Sequence, residues 1–153
     1  MTQLINAFEQ GKEKGQLDLK FNNNTLQCRA DSIMIAGQAV KLVGAAGGIP
    51  NVTAVTADTD EVFGYVNYAV RKSSWAIGDV VEISITANVM FMIAGAAIAP
   101  NTDVMYVTAS GKVITATGTT KWISGRALDK AAADGDLIRV YIKSFADSLH
   151  PAA

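Results

Sequence analysis

The chain has one cysteine, Cys28, and one histidine, His150, among 153 residues. A single cysteine cannot form an intramolecular disulfide, so a disulfide-stapled secreted scaffold is excluded. Neither a two-cysteine nor a Cys-His zinc spacing can be assembled. His150 stands at the extreme C-terminal end of the sequence, far from the oriented, desolvated setting that Ser-His-Asp or Cys-His catalysis requires. Charge of one sign is also missing: the formal net charge is −1 at pH 7, which leaves no electrostatic footprint for nucleic acid or an anionic membrane. The longest apolar run, Val89 to Ala99, falls short of the roughly 20 residues of a membrane-spanning helix. The N-terminus lacks the basic start and apolar core of a signal peptide. Synthesis and assembly in the cytoplasm are therefore expected.

Charge is sparse at 18%, while half of the residues are apolar. That balance suits a protein that buries part of its surface against partners. A chain of about 150 residues buries roughly 68–70% of its unfolded surface and owns a full core.

The stretch from Asp103 to Lys143 sets the fold class. Asp103–Val107, Lys112–Ala116, Trp122–Leu128 and Leu137–Ile142 are short β-rich runs, separated by Ser110-Gly111, Gly118-Thr119-Thr120 and Gly135-Asp136. Turn signals at that spacing predict an all-β fold, an antiparallel barrel or sandwich. A pattern of a turn former directly before an apolar strand recurs at Gly37-Gln38, Gly78-Asp79 and Gly135-Asp136, and more loosely at Asn101-Thr102-Asp103. Its irregular spacing marks strand starts, not a solenoid. Gly44 to Pro50 reads as a flexible loop, Val62 to Val70 as a strand with a bulge or close backbone approach at Gly64, and Val89 to Gly95 as a strand covered on both faces.

The first residues differ. Leu4, Ile5 and Phe8 share one face of a short helix, with Gly11 and Gly15 ending it. A helix of about 10 residues needs something to lie on, either its own β domain or another subunit. Leu17, Leu19 and Phe21 then alternate as a half-buried strand, Asn22-Asn23-Asn24 turns, and Leu26–Ala30 returns, with Cys28 as a small core residue. The expected organisation is a short N-terminal helical or extended arm with a first hairpin over 1–30, a β domain over 31–143 and a tail over 144–153.

Little in this chain points to chemistry. Asp58, Asp60 and Glu61 lack the Gly and the distant Glu of an EF-hand, so they read as a solvated turn. Gly44-Ala45-Ala46-Gly47-Gly48 leads to Ile49-Pro50, not into a helix, and cannot cradle a phosphate. Trp75 and Trp122 suit a core or a subunit interface better than a stacking platform. No catalytic, cofactor-binding or metal-ligating residue stands out, and no enzyme activity is expected.

Four segments resemble the capsid decoration, or cement, proteins of tailed bacteriophages. They are Ala76–Ile83 with its Gly-Asp strand start, Asn88–Ala94, Val104–Val113, and Ile123–Val140. The last is the most specific: a Gly125-Arg126-Ala127-Leu128 strand, an Ala-rich connection and a final strand led by Gly135-Asp136. The similarity spans roughly residues 35–143 and leaves the 1–30 extension outside. It implies a head-stabilising virion protein on the capsid exterior, tying neighbouring major capsid proteins together. It also implies self-association, as a trimer in preference to a dimer, with no cofactor, nucleic acid or membrane. Leu4, Ile5, Phe8, Phe21, Trp75 and Trp122 are the expected capsid or subunit contacts. The alternative is a surface carbohydrate- or receptor-binding β module using Trp75 or Trp122.

Overall fold

The computed structural model describes residues 14–15, 25–46, 48–69, 71–86, 88–117 and 123–143. The expected N-terminal helix, the strand over 17–21, the Asn22–Asn24 turn, the Gly118–Thr120 turn and the tail over 144–153 lie outside them. The described residues form twelve strands: β1 (Thr25–Ala30), β2 (Met34–Ile35), β3 (Ala39–Ala46), β4 (Ile49–Ala54), β5 (Gly64–Val66), β6 (Ser74–Trp75), β7 (Val80–Ser84), β8 (Val89–Ile93), β9 (Thr102–Val107), β10 (Lys112–Thr115), β11 (Gly125–Ala127) and β12 (Leu137–Ile142).

The all-β expectation holds, and it takes the form of two bodies and a ribbon. Strands β1, β4, β3, β5 and β7, in that order, close into a barrel. Its pairs are antiparallel except β1–β4, which is parallel, with Arg29 opposite Asn51. The second body is an antiparallel sheet ordered β10-β9-β11-β12-β8. A parallel bridge between Ala94 and Val113 draws its two outer strands together. Strands β2 and β6 pair with each other as a two-stranded ribbon.

Alternation explains which side chains go in. On β12, Ile138, Val140 and Ile142 are buried while Tyr141 is exposed, and on β7, Val81 and Ile83 are buried while Val80 and Glu82 are exposed. Such period-two burial is what a half-buried strand requires. Strand β8 is covered on both faces, as its apolar run predicts. Cys28 is fully buried in β1, facing the barrel interior.

Two apolar clusters result. The smaller fills the barrel with Cys28, Ala30, Met34, Val40, Val52, Phe63, Val66, Trp75, Val81 and Ile83. The larger belongs mainly to the second sheet but takes in Ala39, Val55, Val62 and Tyr65 from the first half of the chain. This shared cluster seals the seam between the two bodies. Tyr65 and Tyr106 meet there edge to face, 6.1 Å between ring centres at 64°, an arrangement worth about 0.5–1.5 kcal/mol beyond area burial. Polar ties reinforce the seam: Asp58 Oδ1 accepts the Thr108 backbone N–H at 2.9 Å and the Thr108 hydroxyl at 2.6 Å. Gly15 donates its N–H to the Phe91 carbonyl at 2.8 Å and accepts the Tyr68 N–H at 2.9 Å, joining β8 to the segment after β5.

The recurrent turn-before-strand pattern has one structural cause. Gly37, Gly78 and Gly135 have φ of 75°, 91° and 95°, a conformation costly for residues with a Cβ. The residue after each glycine then closes the turn with its side chain. Gln38 Oε1 accepts the Ile35 N–H at 3.1 Å, Asp79 Oδ2 the Ala76 N–H at 3.0 Å, and Asp136 Oδ2 the Ala133 N–H at 3.1 Å. The looser copy differs: Asn101 itself adopts φ 59°, and Asp103 receives Arg126 at 3.1 Å.

Two local expectations change. Gly44 to Pro50 is not a loose loop; β3 and β4 continue through it, pairing Ala45 with Pro50 and Ala46 with Ile49, with a register shift between Leu42 and Gly44. Gly48, at φ 82°, stands in the connection. Within the described part of the strand expected over Val62–Val70, only Gly64–Val66 is strand; Phe63 packs into the barrel cluster and Tyr65 into the shared one. Gly64 does sit at a close backbone approach: a Cβ there would press into the Ser84 carbonyl oxygen.

Asp60 closes a further turn without a glycine. Its Oδ2 accepts the Thr56 and Ala57 N–H groups at 2.9 and 3.1 Å and pairs with Lys41 at 2.9 Å. The Lys41 hydrogen bond first, then the backbone donors, hold its carboxyl down from 3.8 to about 2. A carboxyl depressed by folding contributes stability above its unfolded value that is lost as the pH falls through its folded one. Asp60 therefore stabilises the fold fully above about pH 4 and loses that contribution as the pH falls towards 2. In Asp60→Asn, urea midpoints are expected to fall less between pH 4 and pH 2 than in the parent protein; parallel curves would refute this.

Candidate interaction surfaces

The ionisable groups with displaced pKa values are engaged in the fold itself. Burial raises the Cys28 thiol to about 11, which leaves it protonated at neutral pH and poor as a nucleophile. Burial also raises the Tyr65 and Tyr106 phenols. In the acidic turn, Asp60 is taken up by its own backbone and Lys41, and Asp58 by Thr108. Among the described residues, no group of three or more His, Cys, Asp or Glu stands together as a metal cage would.

Of the six residues expected at contacts, Leu4, Ile5, Phe8, Phe21 and Trp122 lie outside the described residues. Trp75 is on β6 and turns inward, only 6% exposed, into the barrel cluster. Lys72 Nζ stands 6.0 Å from its ring centre. The indole thus presents no open face on which a sugar or base could stack.

Leu26, Val80, Leu128 and Tyr141 are exposed on strands that the sequence pattern marks, and two further surfaces carry exposed large apolar side chains. One is the β3–β4 hairpin, where Leu42 and Val43 are exposed beside the register shift. No charged residue occurs between Leu42 and Val55. The other is the β2–β6 ribbon with Ile33, Ile35 and Ile77. The signal for the ribbon was present as the apolar run Ile33-Met34-Ile35, but an unbroken run does not say which parity faces the core. Pairing of Met34 with Trp75 decides it.

The segment Gly125–Leu128 that carries the family resemblance is central in the second sheet. β11 lies between β9 and β12. Arg126 projects from it and donates to Asp103 at 3.1 Å and to Asn101 Oδ1 at 3.2 Å, fixing the turn that starts β9. After the strand, Asp129 takes Arg139 in a two-pronged pair, at 2.7 and 2.9 Å. These polar clamps hold the Ala-rich connection against the start of β12.

No protein-family model matches the chain, and no curated protein matches it. A solved structure shares its fold. The head fiber gp8.5 N base of bacteriophage phi29 superposes with a TM-score of 0.54 at 17% identity, covering 85% of this chain and 100% of that one. Coverage of that extent takes in both bodies, since neither alone is so large. At this identity the likeness is one of architecture: the same β bodies reached by a largely different sequence.

Proposed function

We propose that the chain is a structural protein of a phage virion. It binds the outer surface of the capsid and stabilises the expanded shell by bridging major capsid proteins, with no catalytic role. The observation that carries this reading is the fold likeness, over 85% of the chain, to a head fiber base. The Gly125–Val140 segment supports it independently, since its resemblance to decoration proteins falls on the paired strands β11 and β12. The physical logic is mass action. A ligand that binds only the assembled lattice stabilises it by about 2.7 kcal/mol at a hundred times its dissociation constant. Self-association multiplies this through effective concentration, with no new kind of contact. Assembly takes place in the host cytoplasm, and the load opposed is the internal pressure of packaged DNA.

The test is cosedimentation of the purified chain with expanded phage heads. Saturable binding is expected. Deleting residues 1–13, which include Leu4, Ile5 and Phe8, is expected to weaken it at least about tenfold, as loss of apolar anchors does. Lys14 and Gly15 are kept because Gly15 ties the two bodies. Failure of the intact chain to bind heads would overturn the reading; undiminished binding by the deletion would remove the arm from it.

A further inference from the structure

Lys14 and Gly15 are lodged between the two bodies without belonging to the strands of either. Gly15 donates its N–H to the Phe91 carbonyl of β8 at 2.8 Å and accepts the Tyr68 N–H, from the segment after β5, at 2.9 Å. It is buried and faces Gly37, in the turn between β2 and β3. A Cβ at Gly15 would press into the Gly37 nitrogen and come within 2.9 Å of the Val66 carbonyl oxygen. The Lys14 side chain runs on over Gly37 and reaches Gly111 in the β9–β10 turn, where an added Cβ would lie 2.9 Å from its Nζ. Two adjacent residues thus meet the barrel, β8 and the β9–β10 turn. Phe91 and Gly111 both precede the Ala94–Val113 bridge, so the pair sits where, among the described residues, no bridge joins β8 to β10.

The seat is specific but lightly held. Position 15 needs a glycine, because its φ is 80° and backbone crowds the site of a Cβ. The hold on it is two backbone hydrogen bonds with no strand ladder around them. The Lys14 ammonium is drawn part-way out of water, and that burial lowers its pKa. The ion pairs of the described residues all join other cations to their carboxylates. Seating Lys14 therefore costs desolvation that no ion pair offsets. Segments with few supporting contacts open more readily than the core.

We propose that Lys14–Gly15 is a releasable strap across the seam. Seated, it locks the barrel to the second sheet. Released, it leaves the two joined by the shared apolar cluster and the Asp58–Thr108 tie. It can leave without unpairing a strand, since it belongs to none. Residues 1–13 precede it directly in the sequence, so a partner that holds them acts first on this seat. The strap does not require that partner to be a phage head.

Amide hydrogen exchange on the full chain tests this, each rate divided by its intrinsic value. The Tyr68 amide reports the strap. The Phe63 amide, bonded to the Val40 carbonyl, reports the barrel, and the Ser124 amide, bonded to the Val104 carbonyl, reports the second sheet. In the parent, Tyr68 is expected to exchange at least about tenfold faster than Phe63 and Ser124. Gly15→Ala is expected to speed Tyr68 at least about tenfold more while Phe63 and Ser124 stay within about threefold. Lys14→Met keeps the length of the side chain and removes its charge, so it is expected to slow Tyr68 at least about threefold. Should Gly15→Ala fail to fold, the parent profile and Lys14→Met decide. Equal protection of the three amides in the parent would overturn the proposal. So would a Gly15→Ala loss spread evenly over all three, or a Lys14→Met variant in which Tyr68 is not slowed.

Discussion

Tyr65→Ala is expected to lose about 3–5 kcal/mol of unfolding free energy, the range for deleting a large buried aromatic. Tyr65 has no exposed surface and lies in the cluster shared by the barrel and the second sheet. Its ring meets Tyr106 edge to face across the seam. Truncation removes the ring from both bodies at once, and Gly64 and Val66, held in their own pairings on either side, cannot move in to fill the space. The loss is therefore expected to appear partly as uncoupling. Urea unfolding followed by tryptophan fluorescence and by far-ultraviolet circular dichroism should separate into two transitions in Tyr65→Ala and coincide in the parent. Tyr65→Phe gives the contrast. The hydroxyl is buried without a well-formed hydrogen bond. Burial raises its pKa and so keeps the phenol protonated, and the nearby Ser124 hydroxyl opposes only part of that rise. Removing a polar group that was poorly satisfied is close to neutral, so the change should stay within about 1 kcal/mol. A loss in Tyr65→Phe as large as in Tyr65→Ala would show that the hydroxyl, not the ring, carries the seam.

Gly125→Ala is expected to cost about 3 kcal/mol, the upper part of the range for overpacking. β11 is only three residues long and is hydrogen-bonded on both sides, with Gly125 opposite Ile142 of β12 and Val104 of β9. A Cβ at Gly125 would press into the Tyr141 carbonyl oxygen and come within 2.8 Å of Val140 Cγ1. Backbone on a central strand cannot yield without opening the ladder. Gly64→Ala is expected to behave alike, since its Cβ would lie 2.6 Å from Ile83 Cγ2 and against the Ser84 carbonyl. Gly135 separates clash from conformation. It has φ 95° and open space around a built Cβ, so Gly135→Ala carries only the left-handed penalty of about 1–2 kcal/mol. Urea midpoints at constant m-value rank the three; Gly125→Ala no worse than Gly135→Ala would mean that β11 has freedom its pairing denies.

Much of this architecture could be read locally. Gly78-Asp79 and Gly135-Asp136 announce strand starts because a glycine at positive φ and a carboxylate closing back on an N–H three residues earlier are interactions within four residues. Ile138, Val140 and Ile142 reveal their face by alternation alone. Gly64 was legible as a close approach, because a glycine inside an aromatic strand has few other uses. Gly44 to Pro50 was not legible as a hairpin: its glycines and alanines carry no alternation, and its ladder comes from register with Val52 and Ala54. The candidate surface divides in the same way. Trp75 was legible as a large apolar side chain in need of cover, but its cover proved to be Met34 and the barrel core of its own chain.

By composition and local pattern, the sequence determined an all-β chain without a disulfide, with strand starts set by short-range turn chemistry. Those features depend on φ preferences and on hydrogen bonds between residues a few positions apart, which no distant partner needs to supply. Only the tertiary structure decided that β1 closes a barrel through β7 and a parallel β4, that Tyr65 joins two cores, and that Ile33 and Ile35 face out while Met34 faces in. Each of these depends on which strand lies alongside, and that is settled by long-range burial over the whole chain, where alternation offers two equivalent faces and only the neighbour breaks the tie.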